Sequence, residues 1–366
     1  MLGVHLTTTS PNLDTLRAFA VTCVLASHIL AMLNVSGYIG DHTPGALGYA
    51  GVTAFFVHTS LVLMYSLQRL AGLPNVAVRF YIARAMRIYP LSIASVVVMV
   101  LFRVPAVPWA PHATYLVPSW ASITSHLLLV QDVTHSRLLL GPLWSLPLEM
   151  HMYLLLPLCF YAAVKTQPIK LIWLILAGAA AIAVAARYFG KPWIFLPYAP
   201  CFLAGVMAYR VSTARRFSIP AYLWPVGLLL WFGILFKTLA IPSLHANRFV
   251  GSWVLCVILG LAIGSFRESS YRFWNYGTST VAKYSYGIYL FHAPVMYFVF
   301  AVLRVHNPAI AAIVWLSCTF AVAALCYHLL ESPCIKLGKR WASRFVTHPV
   351  IAEPIAVEVK AAAASA

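Results

Sequence analysis

Two side chains in this sequence could do acid–base chemistry inside an apolar phase. They are Glu149, in GPLWSLPLEMHMYLLLPL, and His28, in LDTLRAFAVTCVLASHIL. Of the eight acidic residues, Glu149 is the one that falls within a long apolar run. A charged side chain at the centre of a membrane span costs about 3 kcal/mol even on lenient insertion scales, so such a carboxylate is a functional-site candidate. The other acids read as cheaply placed. Asp14 and Glu331 close apolar runs, Asp41, Asp132 and Glu268 fall in loops, and Glu353 and Glu358 lie near the C-terminus.

Helical rise gives the two candidates a common depth. Glu149 lies about seven residues, or roughly 10 Å, from one end of its apolar run. His28 lies about 22 Å from the opposite end of its own run, or about 8 Å below the edge of a 30 Å core. If their helices face each other, the carboxylate can orient the imidazole and fix its tautomer, as an acid does for a catalytic base. The plainer reading is a structural hydrogen bond between helices. His58, His151 and His292 also fall in apolar runs and read individually as satisfied core histidines.

A second pattern is RFYIARAMRIYP. Arg84 and Arg87 are three apart and share a helix face, where with Arg79 they could clamp phosphates through bidentate contacts. The plainer reading is anchoring to lipid head groups. Arg17 stands a turn into the first apolar run, three residues after Asp14, a spacing that predicts an ion pair.

The elements that must position these residues are membrane helices. The 366-residue chain is 62% hydrophobic and 9% charged, with a mean hydropathy of +0.84. No soluble domain of this size has such a composition. The apolar runs are long and lack period-two alternation, so they predict helices over strands. Ten spans are expected, near 13–33, 48–68, 85–104, 142–164, 170–189, 194–210, 220–240, 248–266, 284–303 and 309–330. The fold class is therefore all-α, a polytopic helix bundle, with both termini in the cytoplasm.

That orientation places 18 of the 25 Lys and Arg residues on the cytoplasmic side, a strong positive-inside bias. The net charge of +17 then reflects topology and contact with anionic membrane lipid, and nucleic acid is excluded as a partner. The N-terminal segment lacks the basic start of a cleavable signal peptide. The seven cysteines show no CxxC and read as apolar packing residues. No metal-ligand spacing such as HExxH occurs. Residues 105–141 form the longest segment between spans, and their apolar stretch ASITSHLLLV is too short to cross, so it predicts a re-entrant or interfacial piece. Residues 12–335 read as one integral-membrane domain and 345–366 as a disordered cytoplasmic tail.

Five blocks in order resemble the acyltransferase type 3 family of bacterial membrane proteins. They are LDTLRAFAVTCVLASHIL, GVTAFFVHTS, FYIARAMRIYP, LWSLPLEMHMYLLLP, and YSYGIYLFHAPV together with LLESP. The resemblance covers about residues 12–335. The sequence departs from the family's common pattern at Thr53, at His58-Thr59-Ser60 and at Met150.

The resemblance implies transfer of an acyl group, most often acetyl, from acyl-CoA to a hydroxyl of a carbohydrate or glycan, often a surface polysaccharide. It implies His28 and Glu149 as catalytic residues and Arg84, Arg87 and Arg17 as donor-binding residues. Acyl-CoA would be a substrate, with no permanently bound cofactor, and the location would be the bacterial cytoplasmic (inner) membrane. Some family members append an extracytoplasmic hydrolase-like domain, and none is expected here. A proton-coupled flippase of a lipid-linked glycan, or an inactive scaffold subunit, are the alternative readings of the same buried residues.

Overall fold

The computed structural model describes residues 10–34, 43–110, 113–167, 196–212, 218–240 and 248–344, with short stretches between 170 and 182. Among the described residues the chain is helical. The helices are α1 (Pro11–Met32), α2 (Thr43–Leu70), α3 (Val76–Leu101), α4 (Trp120–Leu128), α5 (Leu146–Lys165), α6 (Ala199–Ser212), α7 (Leu223–Ala240), α8 (Arg248–Ile263), α9 (Arg272–Tyr297), α10 (Pro308–Cys326) and α11 (Ser332–Arg344). The one extended pairing is an isolated bridge between Ile219 and Phe266.

Among the described residues, six helical segments are long and apolar enough to cross a membrane: Pro11–Met32, Pro44–Leu70, Val76–Leu101, Gly141–Lys165, Arg272–Val302 and Pro308–Arg344. The protein is thus a multi-pass membrane protein. α6, α7 and α8 are apolar but shorter, and they fall on the sixth to eighth expected spans. The expected span at 170–189 lies largely outside the described residues, and the expected tail at 345–366 lies wholly outside them. Three boundaries differ most from expectation. α3 begins at Val76, nine residues before its expected span, α9 begins at Arg272, twelve residues before the hydropathy of its run rises, and the last segment runs on to Arg344. In each case helical hydrogen bonding continues past the expected span.

Local sequence explains the helix that carries His28. Ser10 caps α1 by accepting from the Leu13 amide at 3.3 Å, and Pro11 occupies the first turn, where its missing N–H costs nothing. Glu268 clasps the same terminus, accepting from Ser10 Oγ at 2.6 Å and from the Asn12 amide at 3.0 Å. Trp224 Nε1 donates to the Asn12 carbonyl at 3.0 Å.

Small residues then let the helices approach closely, the packing mode available where apolar surroundings remove the hydrophobic drive. A Cβ on Gly51 of α2 would lie 2.5 Å from the Ala20 carbonyl of α1, so the α1–α2 contact admits only glycine. α1 and α9 run parallel: Arg17 meets Ser285, and further along the same pair His28 meets His292.

Residues 102–110 and 113–140 cover one end of the bundle, here termed the loop end; Arg79, Arg84 and Arg87 mark the basic end. The Gly141 amide donates to the Ala106 carbonyl at 2.7 Å, and Gln131 Nε2 donates to the Leu143 carbonyl at 3.0 Å. α4 is inside-out. Its buried residues are Ser122, Ser125 and His126, while Trp120 is 83% exposed and Leu128 55%. A helix with a polar inner face and an apolar outer face suits apolar surroundings, in keeping with the re-entrant or interfacial reading. His126 is neutral by geometry: Nδ1 lies 2.8 Å from the Ser122 carbonyl, to which it donates, and Nε2 accepts from the Leu139 amide. Burial holds its pKa below the ordinary histidine value.

Candidate active site

The polar residues of the bundle form three levels. At the loop end, His28 is half-buried on α1, one turn before the helix ends at Met32. Its Nδ1 lies 2.7 Å from Nε2 of His292. The two rings are within 13° of coplanar, with centroids 4.8 Å apart. That separation is close to the N···N distance plus the two ring radii, so the rings meet edge to edge along the hydrogen bond. One face of His28 is covered by Trp109, with centroids 3.9 Å apart and planes 25° apart. A cavity of about 390 Å³ opens beside it, lined by His28, Trp109, Tyr49, Trp144, Pro142 and Tyr289 among others.

Tyr289 and Val52 form the second level, because both line this cavity and the next one. The Tyr289 hydroxyl donates to the Pro142 carbonyl at 2.7 Å, so Ser145 Oγ, also at 2.7 Å, donates to it. The 3₁₀ turn Gly141–Ser145 is thereby tied to α9.

Beyond lie two smaller polar cavities. Both are lined by Arg17, Thr59, Glu149 and Tyr286; one adds Ser145 and Ser285, the other His58, Arg87 and Tyr153. Arg17 Nε donates to Ser285 Oγ at 2.6 Å, and the Tyr153 hydroxyl donates to Glu149 Oε1 at 2.8 Å. Closest to the basic end, Arg87 pairs with Glu331 at 3.4 Å. Glu331 is the last residue of a π-helical segment, Tyr327–Glu331, a distortion often found at functional sites. The Nε atoms of Arg79 and Arg84 are buried without a hydrogen-bond partner, and Arg84 lies 6.0 Å from the Phe80 ring.

Four of the five candidate residues, His28, Arg17, Glu149 and Arg87, line these cavities, while Arg84 lines none of them, and the pairs are not the expected ones. His28 takes His292 as its partner, not Glu149. Glu149 shares its level with Arg17, which precedes His28 on α1 by eleven residues. Depth counting set Glu149 too near the loop end, because the 3₁₀ turn Gly141–Ser145 rises more per residue than an α-helix and carries Glu149 deeper. His292, read as a satisfied core histidine, reaches the level of His28 on a helix that starts at Arg272, well before its apolar run. Arg17 turns to Ser285 and does not pair with Asp14. Glu331 and Asp132 are buried, unlike the cheaply placed acids they were expected to be. Asp132 lies 3.4 Å from His151 Nδ1.

Trp109 was missed altogether. Its one sequence signal is an aromatic residue held among the prolines of PAVPWAP, in the segment that folds over the loop end.

The model of the acyltransferase domain matches residues 10–329. The chain belongs to the acyltransferase type 3 family. Acyltransferase MdmB of Streptomyces mycarofaciens is 29% identical over 191 residues, covering 49% of this chain and 46% of that protein. Peptidoglycan O-acetyltransferase OatA of Listeria monocytogenes is 25% identical, covering 90% of this chain and 56% of that protein. Nodulation protein 10 of Rhizobium leguminosarum bv. viciae is 24% identical, with 91% and 95% covered. The chain thus spans about half the length of the first two relatives. No solved structure matches.

Proposed function

We propose that this chain is a membrane O-acyltransferase that moves an acyl group, acetyl foremost, from cytoplasmic acyl-CoA to a hydroxyl of a carbohydrate or glycan. It would sit in the bacterial inner membrane with ten spans and both termini inside. The observation that carries this reading is the single axis running from a cluster of arginines to an imidazole beside a cavity. Family membership supports the reaction class, and the peptidoglycan named for one relative supports a glycan acceptor.

In this reading the donor's phosphates bind at the basic end against Arg84 and Arg87, where guanidinium geometry suits phosphate oxygens. The pantetheine arm, roughly 20 Å when extended, passes Arg17 and Glu149 toward His28. The acceptor occupies the cavity at the loop end, where the faces of Trp144 and Tyr49 offer apolar planes to a sugar ring. His28 takes the proton of the acceptor hydroxyl as its oxygen attacks the thioester carbonyl. The C–S bond then breaks, and the leaving thiolate takes that proton from His28. Glu149 does not touch His28; it offsets the charge of Arg17 and keeps the arm's path polar.

The test is release of CoA thiol by the purified full chain given acetyl-CoA and peptidoglycan fragments, with mass spectrometry of the fragments. Acetylated fragments and a dependence on His28 are expected. Movement of a lipid-linked glycan without thioester consumption would replace this reading with the flippase.

A further inference from the structure

The partner of His28 is a second histidine, and its hydrogen bonds fix where every ring proton lies. His292 Nδ1 lies 3.1 Å from the carbonyl oxygen of Ile288. A carbonyl only accepts, so the proton of neutral His292 is on Nδ1 and its Nε2 carries a lone pair. That Nε2 can therefore only accept across the 2.7 Å contact, and His28 Nδ1 is the donor. Neutral His28 then has its lone pair on Nε2.

A doubly protonated His292 would reverse the contact. It would also leave a cation on a residue of zero exposure, with no carboxylate among the residues lining the adjoining cavity. An unpaired buried charge of that kind is costly.

The position of His292 is itself held from outside the pair. Trp315 Nε1, on α10, donates to the His292 backbone carbonyl at 2.8 Å, and Trp315 is fully buried.

We propose that His292 is a positioning residue for acyl transfer: it holds His28 in the neutral tautomer whose Nε2 lone pair receives the acceptor's proton. This deepens the function proposed above and rests on it. The role is the one an acid performs in a hydrolase triad, here filled by an uncharged group. The proton balance follows directly. When Nε2 of His28 takes the hydroxyl proton, Nδ1–H continues to donate to His292. The dyad cannot pass that proton onward, because Nδ1 of His292 ends on a carbonyl. The proton returns through Nε2 to the leaving thiolate, and the dyad is unchanged after turnover.

Four variants in the full-length protein test the assignment, read by CoA thiol release from acetyl-CoA with peptidoglycan fragments as acceptor. H292A and H292L should lower kcat about 100-fold, the lower end of what a positioned acid–base group contributes, with the KM for acetyl-CoA within about twofold of wild type. H292Q should recover most of that loss, because its amide oxygen reaches the place of Nε2 and accepts from His28 Nδ1. A merely structural histidine predicts the opposite pattern, with glutamine no better than leucine, and that result overturns the proposal. Wild-type kcat in H292A also overturns it.

The H28A variant separates the two levels. If H28A is inactive while H292A is fully active, this inference alone fails; if H28A is fully active, the function reading fails. The wild-type protein gives an independent check that needs no variant to fold. Nitrogen NMR of ¹⁵N-histidine protein should show His28 protonated at Nδ1 and bare at Nε2, and the reverse tautomer refutes the assignment.

Discussion

The loop end and the basic end of this bundle solve the problem of polarity in hydrocarbon differently. At the loop end, His28, His292 and Trp109 meet through one neutral hydrogen bond and one ring face. At the basic end, Arg17, Arg87, Glu149 and Glu331 line cavities or pair as ions, and buried guanidinium nitrogens of Arg79 and Arg84 lack partners. A neutral hydrogen-bonded pair avoids the desolvation cost of a buried ion and fixes geometry. A guanidinium that keeps an unused N–H suits an anion that arrives from outside. The division matches a reaction whose proton transfer and whose donor phosphates are kept apart.

The most severe way to break the comparison is to remove the proposed base. His28→Ala should reduce kcat about 1,000-fold, within the range for a general base, while leaving acetyl-CoA binding measurable by calorimetry. The basic end should respond in the other parameter. Arg84→Ala with Arg87→Ala should raise the KM for acetyl-CoA about 30-fold, the scale of charge-assisted contacts, with kcat little changed. Glu149→Gln should move that same KM and not kcat. A kcat effect as large as that of His28→Ala would place Glu149 at the transfer step.

Trp109 sharpens the loop end further. It lies on the face of a ring that becomes cationic in the proposed transfer, so Trp109→Leu should lower kcat about fivefold and Trp109→Phe by less. The smallest effect is structural. His126 has a lowered folded-state pKa, so the folded segment binds fewer protons than the unfolded one as pH falls past the ordinary histidine value. Stability of residues 120–139 is then complete above that value and declines below it. The protection factor of the Leu139 amide, which donates to His126, should fall between pH 7 and pH 5 once the intrinsic slowing of exchange is divided out.

Much of the helical scaffold was legible, because long apolar runs admit few alternatives to a membrane helix. The candidate residues were legible as a set, since a carboxylate or guanidinium in an apolar run is conspicuous. Their pairing was not. Depth counted from the ends of hydropathic runs assumes that helices end where apolarity ends, and α9 violates that by continuing from Arg272. The 3₁₀ turn before α5 rises about 2.0 Å per residue and lengthens the path from Gly141 to Glu149. Trp109 belongs to irregular backbone, where no period reports which side chain turns inward.

The contact between Gly51 and the Ala20 carbonyl has a consequence for selectivity. With no room for even a methyl group between α1 and α2, α1 is a fixed rod, and its eleven residues from Arg17 to His28 measure about 16 Å. A rigid rod graduated by a cation at one mark and an imidazole at the other is a ruler. In the proposed function the arm runs from the arginines of the basic end past Arg17, so a carrier whose anionic head and thioester are separated by much less than the pantetheine arm would leave its thioester short of His28.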